Sequence, residues 1–333
     1  MSQRLRRTYL AAVAVLCVAV AAGCGSGSGN GSGSASGQKT LIVFGAGTLA
    51  TPFAQELQAF KRQNPGVTVR SQFGASADMV KNITQLGQPA DVLGVADYSL
   101  LPKLMFGGAK PDASWYAGFV SNQITFAYTS HSKGAGKLTA ANWYKVLAQP
   151  GVHIGRSNPA ADPSGYQILQ MLQLAQGYYH DPALAASVLK NSPDSSVAET
   201  ETSLLAALQS GQIDYLAIYR SDALEQHLHY IALPIQINLS DPALAATYAK
   251  VTIHAGALGA LTAKPIIYAL TIPRTAPDAA MGQKFIRFVL SPPGQAIMRS
   301  NGFPVISPAL ASTQAKVPAS LRSLTKQWPA SGG

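Results

Sequence analysis

The stretch of this chain best suited to chemistry is Asp162-Pro163-Ser164-Gly165, which follows a short β-prone run and precedes an amphipathic segment. Asp is a favoured N-cap residue and Pro a favoured first helical residue, so the pattern predicts a helix that begins at Pro163. The backbone N–H groups of Ser164 and Gly165 are then expected to be free, because the first amides of a helix lack intrahelical acceptors. Free donors at the positive end of a helix bind anions, so this loop predicts an oxyanion site.

Further hydroxyl and carboxylate groups fall at predicted strand ends or helix starts. Thr48 follows Gly47 after the first strand, Ser76 follows the second strand, Glu201 lies in the first turn of a helix and Tyr219 ends a strand. Hydroxyls and amides gathered at one edge of a sheet form an anion cradle that needs no Lys or Arg. Ser and Thr also cap helices commonly, so capping is the simpler interpretation for Thr48 or Ser76 taken singly.

The two carboxylates, Asp162 and Glu201, restrict the anion that such a cradle can accept. Each would repel a dianion unless the central atom of the ligand can take a carboxylate oxygen as a further ligand. Hard carboxylates bind hard or high-valent metal centres, so molybdenum and tungsten oxyanions can accept them, whereas sulfate and phosphate cannot. A structural role stays open, in which Asp162 caps its helix and Glu201 complements a helix dipole. On the residues alone, that role is the commoner one.

These groups need a framework that brings them to one edge. Apolar β-prone runs alternate with amphipathic segments, which predicts an α/β fold whose loops gather at the ends of the strands. The predicted strands cover residues 40–44, 67–71, 90–95, 119–128, 213–219 and 265–272, and the run 119–128 is interrupted by Ser121-Asn122-Gln123. The predicted helices begin near residues 51, 76, 163, 183 and 201, with a last helix over 279–298.

Composition and charge exclude several classes of protein. Hydrophobic residues make up 47% of the chain and charged residues 12%, which is typical of a globular protein. The formal net charge is +10, but Arg4, Arg6 and Arg7 lie in the first 23 residues, which contain no acid, so the remainder carries +7. That excess could steer an anion towards the protein or merely reflect the habitat. Lys and Arg are scattered and no basic run with interleaved aromatic residues occurs, so nucleic-acid binding is not predicted. The chain contains no nucleophile elbow, Walker loop, zinc-ligand pair or dinucleotide-binding fingerprint.

Two other functions stay open. A receptor for sulfate, phosphate or a small organic anion needs the same hydroxyls and amides, but it should not tolerate ionised Asp162 and Glu201 at the ligand. A secreted hydrolase could use Ser164 as its nucleophile, although the sequence identifies no His or Lys to activate it. The close pair His227 and His229 could bind a metal ion, but without further ligands a solvated or hydrogen-bonded role is predicted.

The N-terminal residues have the pattern of an exported lipoprotein. Residues 1–23 combine a basic start with an apolar run from Tyr9 to Val20, which predicts a signal peptide rather than a membrane-spanning helix. Cleavage before Cys24 would make that residue the site of lipid attachment. Residues 24–39, almost entirely Gly and Ser, are then a flexible lipid-anchored linker. The protein is therefore expected outside the cytoplasm and anchored to the membrane; the alternative is ordinary secretion with a free thiol at Cys24.

The chain also resembles a known family, the tungstate/molybdate-binding solute receptors of ABC importers, from Leu41 to Ile306. The most specific matching stretches are ADVLGVADYSLLPKLM and SNPAADPSGY, and others are FGAGTLATPF, LLAALQSGQIDYLAIYRSDA and KPIIYALTIP. The resemblance implies a two-lobed periplasmic-binding fold of type II. Each lobe would be a mixed sheet flanked by helices, with the ligand in the cleft between the lobes. Lobe 1 would comprise residues 40–120 plus 248–333, and lobe 2 residues 121–247.

The resemblance also implies a ligand and the residues that bind it. Carried over by position, the oxyanion site consists of Gly47, Thr48, Ser76, Asp162, Ser164, Glu201 and Tyr219. Asp162 and Glu201 would coordinate the molybdenum or tungsten itself. No enzymatic activity and no cofactor besides the transported oxyanion are implied, the partner is an ABC permease, and we expect a monomer. The chain departs from the usual family pattern in having Thr48 for Ser, Ser164 for Cys, Gln167 for Arg, Ile218 for an acid, and a shorter segment between Ser192 and Glu199.

Overall fold

The computed structural model of the protein describes residues 39–328. The predicted signal peptide, Cys24 and the linker up to residue 38 lie outside the described residues, so the lipid anchor stays a prediction. Within residues 39–328, no helix is both long enough and apolar enough to cross a membrane.

Strands and helices alternate along the described chain. The strands are β1 (Thr40–Ala46), β2 (Thr68–Gly74), β3 (Val92–Val95), β4 (Ala117–Ser121), β5 (Ile124–Tyr128), β6 (Ile154–Ser157), β7 (Val197–Ala198), β8 (Tyr215–Tyr219), β9 (His229–Tyr230), β10 (Thr252–His254), β11 (Ala260–Thr262), β12 (Ile267–Thr271), β13 (Val305–Ala311) and β14 (Thr325–Gln327). The helices are α1 (Ala50–Gln63), α2 (Ser76–Thr84), α3 (Leu100–Met105), α4 (Trp143–Leu147), α5 (Pro163–Tyr178), α6 (Leu184–Leu189), α7 (Leu205–Gln209), α8 (Arg220–Glu225), α9 (Ala245–Tyr248), α10 (Ala279–Val289) and α11 (Pro292–Ser300).

The strands form two mixed sheets and a short hairpin of β10 and β11. The first sheet has the order β14-β13-β4-β12-β3-β1-β2, with β1 parallel to β2 and β3, and β12 antiparallel to β3 and β4. The second sheet has the order β7-β6-β8-β5-β9, with β8 parallel to β6 and antiparallel to β5. Helices α1 and α10 pack on the first sheet and α5 packs on the second. The protein therefore has the predicted two-lobed α/β fold, with one mixed sheet in each lobe.

The chain passes from the first sheet to the second at Asn122-Gln123, between β4 and β5. The interruption predicted at Ser121-Asn122-Gln123 is therefore the boundary between two strands and not a break within one strand. The Asn122 side chain accepts a hydrogen bond from the Gln123 N–H (2.9 Å) and donates one to the Ser221 hydroxyl (2.7 Å), which turns the chain out of the ladder. The Asn122 N–H donates to the carbonyl of Ile266, directly before β12, so two crossing segments lie side by side. The exact domain boundaries at 120/121 and 247/248 stay predictions.

Helix α1 shows how the sequence shapes the helices that position the site. Phe53, Leu57 and Phe60 recur at helical spacing and are buried. The rings of Phe53 and Phe60 pack edge-on against Phe285 of α10, at centroid distances of 5.8 and 5.5 Å. Asn64 ends the helix and its side-chain amide donates to the Phe60 carbonyl. This packing fixes the start of α1 beside the end of β1.

The predicted single helix over 279–298 is wrong, because two helices, α10 and α11, occupy this region. The break falls at Ser291, whose backbone is extended and whose hydroxyl donates to the Phe288 carbonyl. Pro292 and Pro293 lack N–H groups, so they cannot continue α10, but they suit the first turn of a new helix. The periodic apolar pattern continues across this break, which is why it reads as one helix.

Candidate functional site

The Asp162 loop joins β6 to α5, as predicted. Asp162 is the N-cap residue, with extended backbone angles (φ −121°, ψ 132°), and Pro163 is the first helical residue. A Cβ built on Gly165 would lie 2.5 Å from the Ser157 carbonyl oxygen, so only glycine permits this close approach. The prediction of a free Gly165 amide is wrong, because its N–H donates to the Asp162 carbonyl at 3.1 Å. The Asp162 side chain makes no capping hydrogen bond to the backbone of α5.

Ser164 links the two predicted carboxylate ligands. Its Oγ lies 2.6 Å from Asp162 Oδ2 and 2.9 Å from Glu201 Oε2, and it also lies 2.5 Å from Ser157 Oγ. Glu201 is the first residue of a short 3₁₀ turn (Glu201–Leu204) that leads into α7, as its predicted place in a first turn requires. The structure therefore brings Asp162, Ser164 and Glu201 into one cluster.

The two carboxyl groups of the cluster are each placed where the ionised form is disfavoured. A hydroxyl has one proton to donate, so Ser164 cannot satisfy both carboxylates at once. Burial raises the pKa of Asp162, and burial together with the negative charge of Asp162 raises the pKa of Glu201 well above its usual range. None of the ion pairs among residues 39–328 includes either carboxylate. Burial and the nearby charge of Asp162 therefore both disfavour the ionised form of Glu201.

Lobe 1 contributes Gly47, Thr48 and Ser76, at the ends of β1 and β2. The Thr48 hydroxyl donates to the Tyr268 hydroxyl at 3.0 Å. A Cβ built on Gly47 would lie 3.6 Å from Thr202 Oγ1, so Gly47 lies next to the turn that carries Glu201. The capping role considered for Ser76 is wrong, because Ala75 is the N-cap residue of α2 and no side chain caps the start of this helix. Ser76 Oγ instead accepts from the Ala96 N–H at 3.1 Å, which leaves its O–H available as a donor.

Tyr219 completes the predicted set at the end of β8. Its hydroxyl donates to Gln167 Oε1 at 2.7 Å, and its ring packs edge-on against Tyr268 at 5.8 Å. Burial raises the pKa of Tyr219 well above its usual range, and the charges of Asp162 and Glu201 raise it further. Tyr219 is thus within electrostatic reach of both carboxylates.

Sequence reasoning missed two polar residues of this region, Tyr268 and Asn122. Tyr268 accepts from Thr48 and from the Asn122 amide (3.2 Å), so it holds the predicted hydroxyl of lobe 1 in place. A tyrosine inside an otherwise apolar buried strand was the available signal for Tyr268. The polar interruption between two apolar runs was the signal for Asn122.

The candidate site lies sealed between the two lobes. Its polar side chains are at most 4% exposed, namely Thr48, Ser76, Asp162, Ser164, Glu201 and Tyr219. Contacts that join the lobes around it include the Ala77 N–H to the Ala161 carbonyl (3.1 Å), the Tyr166 hydroxyl to Asp97 Oδ2 (2.7 Å), and the Thr51 hydroxyl to Glu225 Oε1 (2.7 Å). A ligand can therefore enter only when the lobes separate.

The other candidate centres lack the geometry for chemistry. His229 stacks on Tyr128 at 5.4 Å, and residues 39–328 contain no group of three or more His, Cys, Asp or Glu placed to hold a metal ion. The side-chain contacts of Ser164 are with Ser157, Asp162 and Glu201, and none is with a His or Lys that could activate a nucleophile.

Comparison with known proteins identifies relatives over most of the chain. The family described as bacterial extracellular solute-binding protein matches residues 41–304. An uncharacterized solute-binding protein of Petrotoga mobilis is 38% identical over 292 residues, covering 86% of this chain and 90% of that protein. The molybdate/tungstate-binding protein WtpA of Pyrococcus abyssi is 35% identical over 305 residues, covering 83% of this chain and 88% of that protein.

Solved structures extend the comparison to the fold. The periplasmic molybdate-binding protein of Azotobacter vinelandii has a TM-score of 0.56 at 18% identity, covering 79% of this chain and 98% of that chain. The sulfate-binding protein SubI of Mycobacterium tuberculosis H37Rv has a TM-score of 0.57 at 15% identity, covering 88% and 95%. At such identities the two structures show a shared fold and nothing about the ligand. By its family match and its full-length relatives, the chain belongs to the family of bacterial extracellular solute-binding proteins.

Proposed function

We propose that this solute-binding protein captures tungstate or molybdate outside the cytoplasm and delivers it to the permease of an ABC importer. One observation carries the proposal: the buried carboxyl groups of Asp162 and Glu201 are joined through the Ser164 hydroxyl, and no Lys, Arg or His among residues 39–328 forms an ion pair with them. Burying a carboxylate pair without a cation costs free energy of folding, so the pair is better explained by ligand binding than by stability. Coordination of a high-valent metal centre is such a binding role.

The chemistry of the carboxylates separates metal oxyanions from the other tetrahedral anions. Molybdenum and tungsten can take carboxylate oxygens as further ligands, whereas the sulfur of sulfate and the phosphorus of phosphate cannot. A metal centre would displace any proton held by the pair, since carboxylate ligands bind metals in their ionised form. For sulfate, the same two groups would add only repulsion.

The relatives support this choice of ligand. The protein of P. abyssi that is named as molybdate/tungstate-binding shares 35% of its residues with this chain over nearly the full length of both. The fold adds nothing to the choice, because a molybdate-binding and a sulfate-binding protein resemble the chain almost equally. Selectivity therefore rests on Asp162 and Glu201.

Ligand contacts from both lobes would hold the protein closed. Thr48 and Ser76 in lobe 1, and Ser164 and Tyr219 in lobe 2, would turn their hydroxyls from internal partners to the oxygens of the ligand. Only a ligand that contacts both lobes in the closed form shifts the equilibrium towards it. The closed form would then dock on the permease as a monomer, and a lipid on Cys24 would keep the protein at the membrane.

Calorimetric titration of the purified protein with tungstate, molybdate, sulfate and phosphate, in separate runs, tests the proposal. We expect tight binding of tungstate and molybdate with weak or absent binding of the other two. Equal binding of sulfate would retain the receptor and discard metal coordination. Absence of heat with all four anions would overturn the proposed ligand class.

The bond between Thr51 and Glu225 gives a prediction about closure. It joins α1 of lobe 1 to α8 of lobe 2 at 2.7 Å, outside the proposed set of ligand contacts. Thr51→Val keeps the shape of the side chain and removes the donor, so it should destabilise only the closed form. A hydrogen bond to a charged acceptor at this partly exposed position contributes about 1–2 kcal/mol, so tungstate affinity in calorimetry should fall by roughly 5- to 30-fold.

Thr262→Val is the matched control, because the Thr262 hydroxyl bonds Thr252 within the exposed β10–β11 hairpin. It should leave tungstate affinity unchanged. Equal affinities for the wild type and the Thr51→Val variant would show that the Thr51–Glu225 bond does not distinguish the closed form from the open one.

A further inference from the structure

Asp222 is a third buried carboxyl group beside the candidate site. It belongs neither to the predicted set of ligand residues nor to the site described above. It lies in α8, three residues after Tyr219, and is 3% exposed. Its Oδ2 atom is buried without a hydrogen-bond partner. An unpaired polar atom in the interior costs free energy of folding, so we expect a hydrogen-bond partner that is present only when a ligand is bound.

The surroundings of Asp222 place it at the oxyanion site. The preceding residue, Ser221, accepts from Asn122, and the same Asn122 amide donates to Tyr268. After burial, the charge of Asp222 is the main cause that raises the pKa of Tyr268. The charge of Asp222 also contributes to the raised pKa of Glu201. Asp222 therefore borders the same enclosed region as Tyr268 and Glu201.

A second buried oxygen without a partner lies in that region, Oε1 of Glu201. Within residues 39–328, buried side-chain polar atoms without a partner occur in five residues only, namely Glu56, Arg156, Ser192, Glu201 and Asp222. Two of the five belong to this one region, on elements that are adjacent through β8. Their coincidence indicates a common polar ligand.

The chemistry of Asp222 differs from that of Asp162 and Glu201. Three carboxylates converging on one centre would form a group able to hold a metal ion, and no such group occurs among the described residues. A tetrahedral oxyanion extends its oxygens away from the central atom, so an acid that cannot reach the metal can still reach an oxo oxygen. An ionised carboxylate would repel that oxygen, whereas a protonated one can donate to it.

The charges around Asp222 favour the protonated form. Glu225 and Asp162 act on it with negative charge, and its own charge acts on Glu201 and Tyr268. The nearest cation in sequence, Arg220, donates to the Tyr230 hydroxyl instead. Burial and the charges of Glu225 and Asp162 raise the pKa of Asp222 well above its usual range. Enzymes use buried carboxylic acids in this way, as neutral hydrogen-bond donors.

We propose that Asp222 is an additional ligand-binding residue, whose carboxyl O–H donates a hydrogen bond to an oxo oxygen of the bound oxyanion. This inference rests on the proposed function. It assigns to lobe 2 a donor besides Ser164 and Tyr219. Because the bond is made to an oxygen and not to the metal, it contributes to the binding of tungstate, molybdate and sulfate alike.

Two substitutions of Asp222 test the proposal. Asp222→Val is nearly isosteric and has no donor, whereas Asp222→Asn keeps a neutral N–H donor in the same place. Calorimetry with tungstate, molybdate and sulfate should show affinities lowered by about tenfold or more in Asp222→Val, for every anion that the wild type binds. Asp222→Asn should restore them to within about threefold of the wild type. Thermal unfolding of the ligand-free variants separates this loss from misfolding.

The outcomes distinguish this inference from the proposed function. Wild-type affinity in Asp222→Val would overturn the role of Asp222 and leave tungstate capture intact. Affinity as low in Asp222→Asn as in Asp222→Val would also overturn it, because the donor alone would not suffice. If the wild type binds none of the anions, both proposals fall.

Infrared difference spectroscopy gives an independent measurement should Asp222→Val fail to fold. Addition of tungstate to the wild type should shift the carbonyl band of a protonated carboxylic acid. That shifted band should be absent in Asp222→Asn. Its persistence in Asp222→Asn would assign the band to another acid and overturn the proposal.

Discussion

Glu201→Gln should weaken the binding of tungstate and molybdate by at least about 100-fold, with little effect on sulfate. Glutamine preserves the shape of the side chain and its contact with Ser164 (2.9 Å in the wild type), but its neutral amide is a poor ligand for a high-valent metal. Even outer-shell substitutions at metal sites cost about 10- to 100-fold in affinity, so loss of a ligand atom costs at least as much. For sulfate the change removes a potential negative charge, which should leave its weak affinity unchanged or raise it.

The selectivity pattern, measured by calorimetry for each anion, is the informative part of this experiment. Glu199→Gln is the matched control, since Glu199 lies two residues away on the same loop and is exposed. It should bind all anions as the wild type does. Asp162→Asn should repeat the effect of Glu201→Gln, although it also changes the start of α5. If Glu201→Gln strengthened the binding of all anions equally, Glu201 would be a repulsive neighbour and the coordination argument would be wrong.

The elements that carry the site could be predicted because their signals are local. Asp162 and Pro163 at the start of α5, and the small-residue loops after β1 and β2, follow from capping preferences and apolar periodicity over a few residues. The side-chain partners could not be predicted in the same way. Asp162 bonds Ser164 rather than its own helix amides, and the other carboxyl group on that hydroxyl, Glu201, lies 37 residues after Ser164.

Distant partners account for the other differences. Thr48 is held by Tyr268, 220 residues away, and no local pattern says which tyrosine of a buried strand faces a site. The apolar run 119–128 has a polar interruption, and only its partners in two different sheets show that the interruption separates two strands. The break between α10 and α11 is different in kind. Pro292 and Pro293 indicate this break in the local sequence, but the strong apolar periodicity on both sides led to the prediction of a single helix.

Glu56→Gln should stabilise the protein at pH 7 by about 3 kcal/mol, an effect that depends on pH rather than on any lost contact. Glu56 lies in α1, fully buried, and neither of its carboxyl oxygens has a hydrogen-bond partner. It is three residues from Phe53 and four from Phe60, so it shares their buried face of the helix. Burial in these apolar surroundings raises the pKa of Glu56 from 4.5 to about 8.

The direction of the effect follows from proton binding. Between pH 4.5 and pH 8 the folded protein keeps the Glu56 proton and the unfolded chain does not, so folding takes up a proton in this range. Stability is therefore highest below pH 4.5, as far as this group is concerned, and falls by about 1.4 kcal/mol per pH unit up to pH 8. Glutamine is neutral at every pH and resembles the protonated acid in size. The variant should lack this loss.

Urea unfolding of the wild type and Glu56→Gln at pH 4, 5, 6, 7 and 8 measures the difference in the free energy of unfolding. Other buried acids, including Asp162, Glu201 and Asp222, also titrate, but they are common to both proteins and cancel in the difference. The difference should be near zero at pH 4 and should grow with pH. A difference that stays constant from pH 4 to pH 8 would show that Glu56 does not change its charge on unfolding. The variant would then act through packing alone.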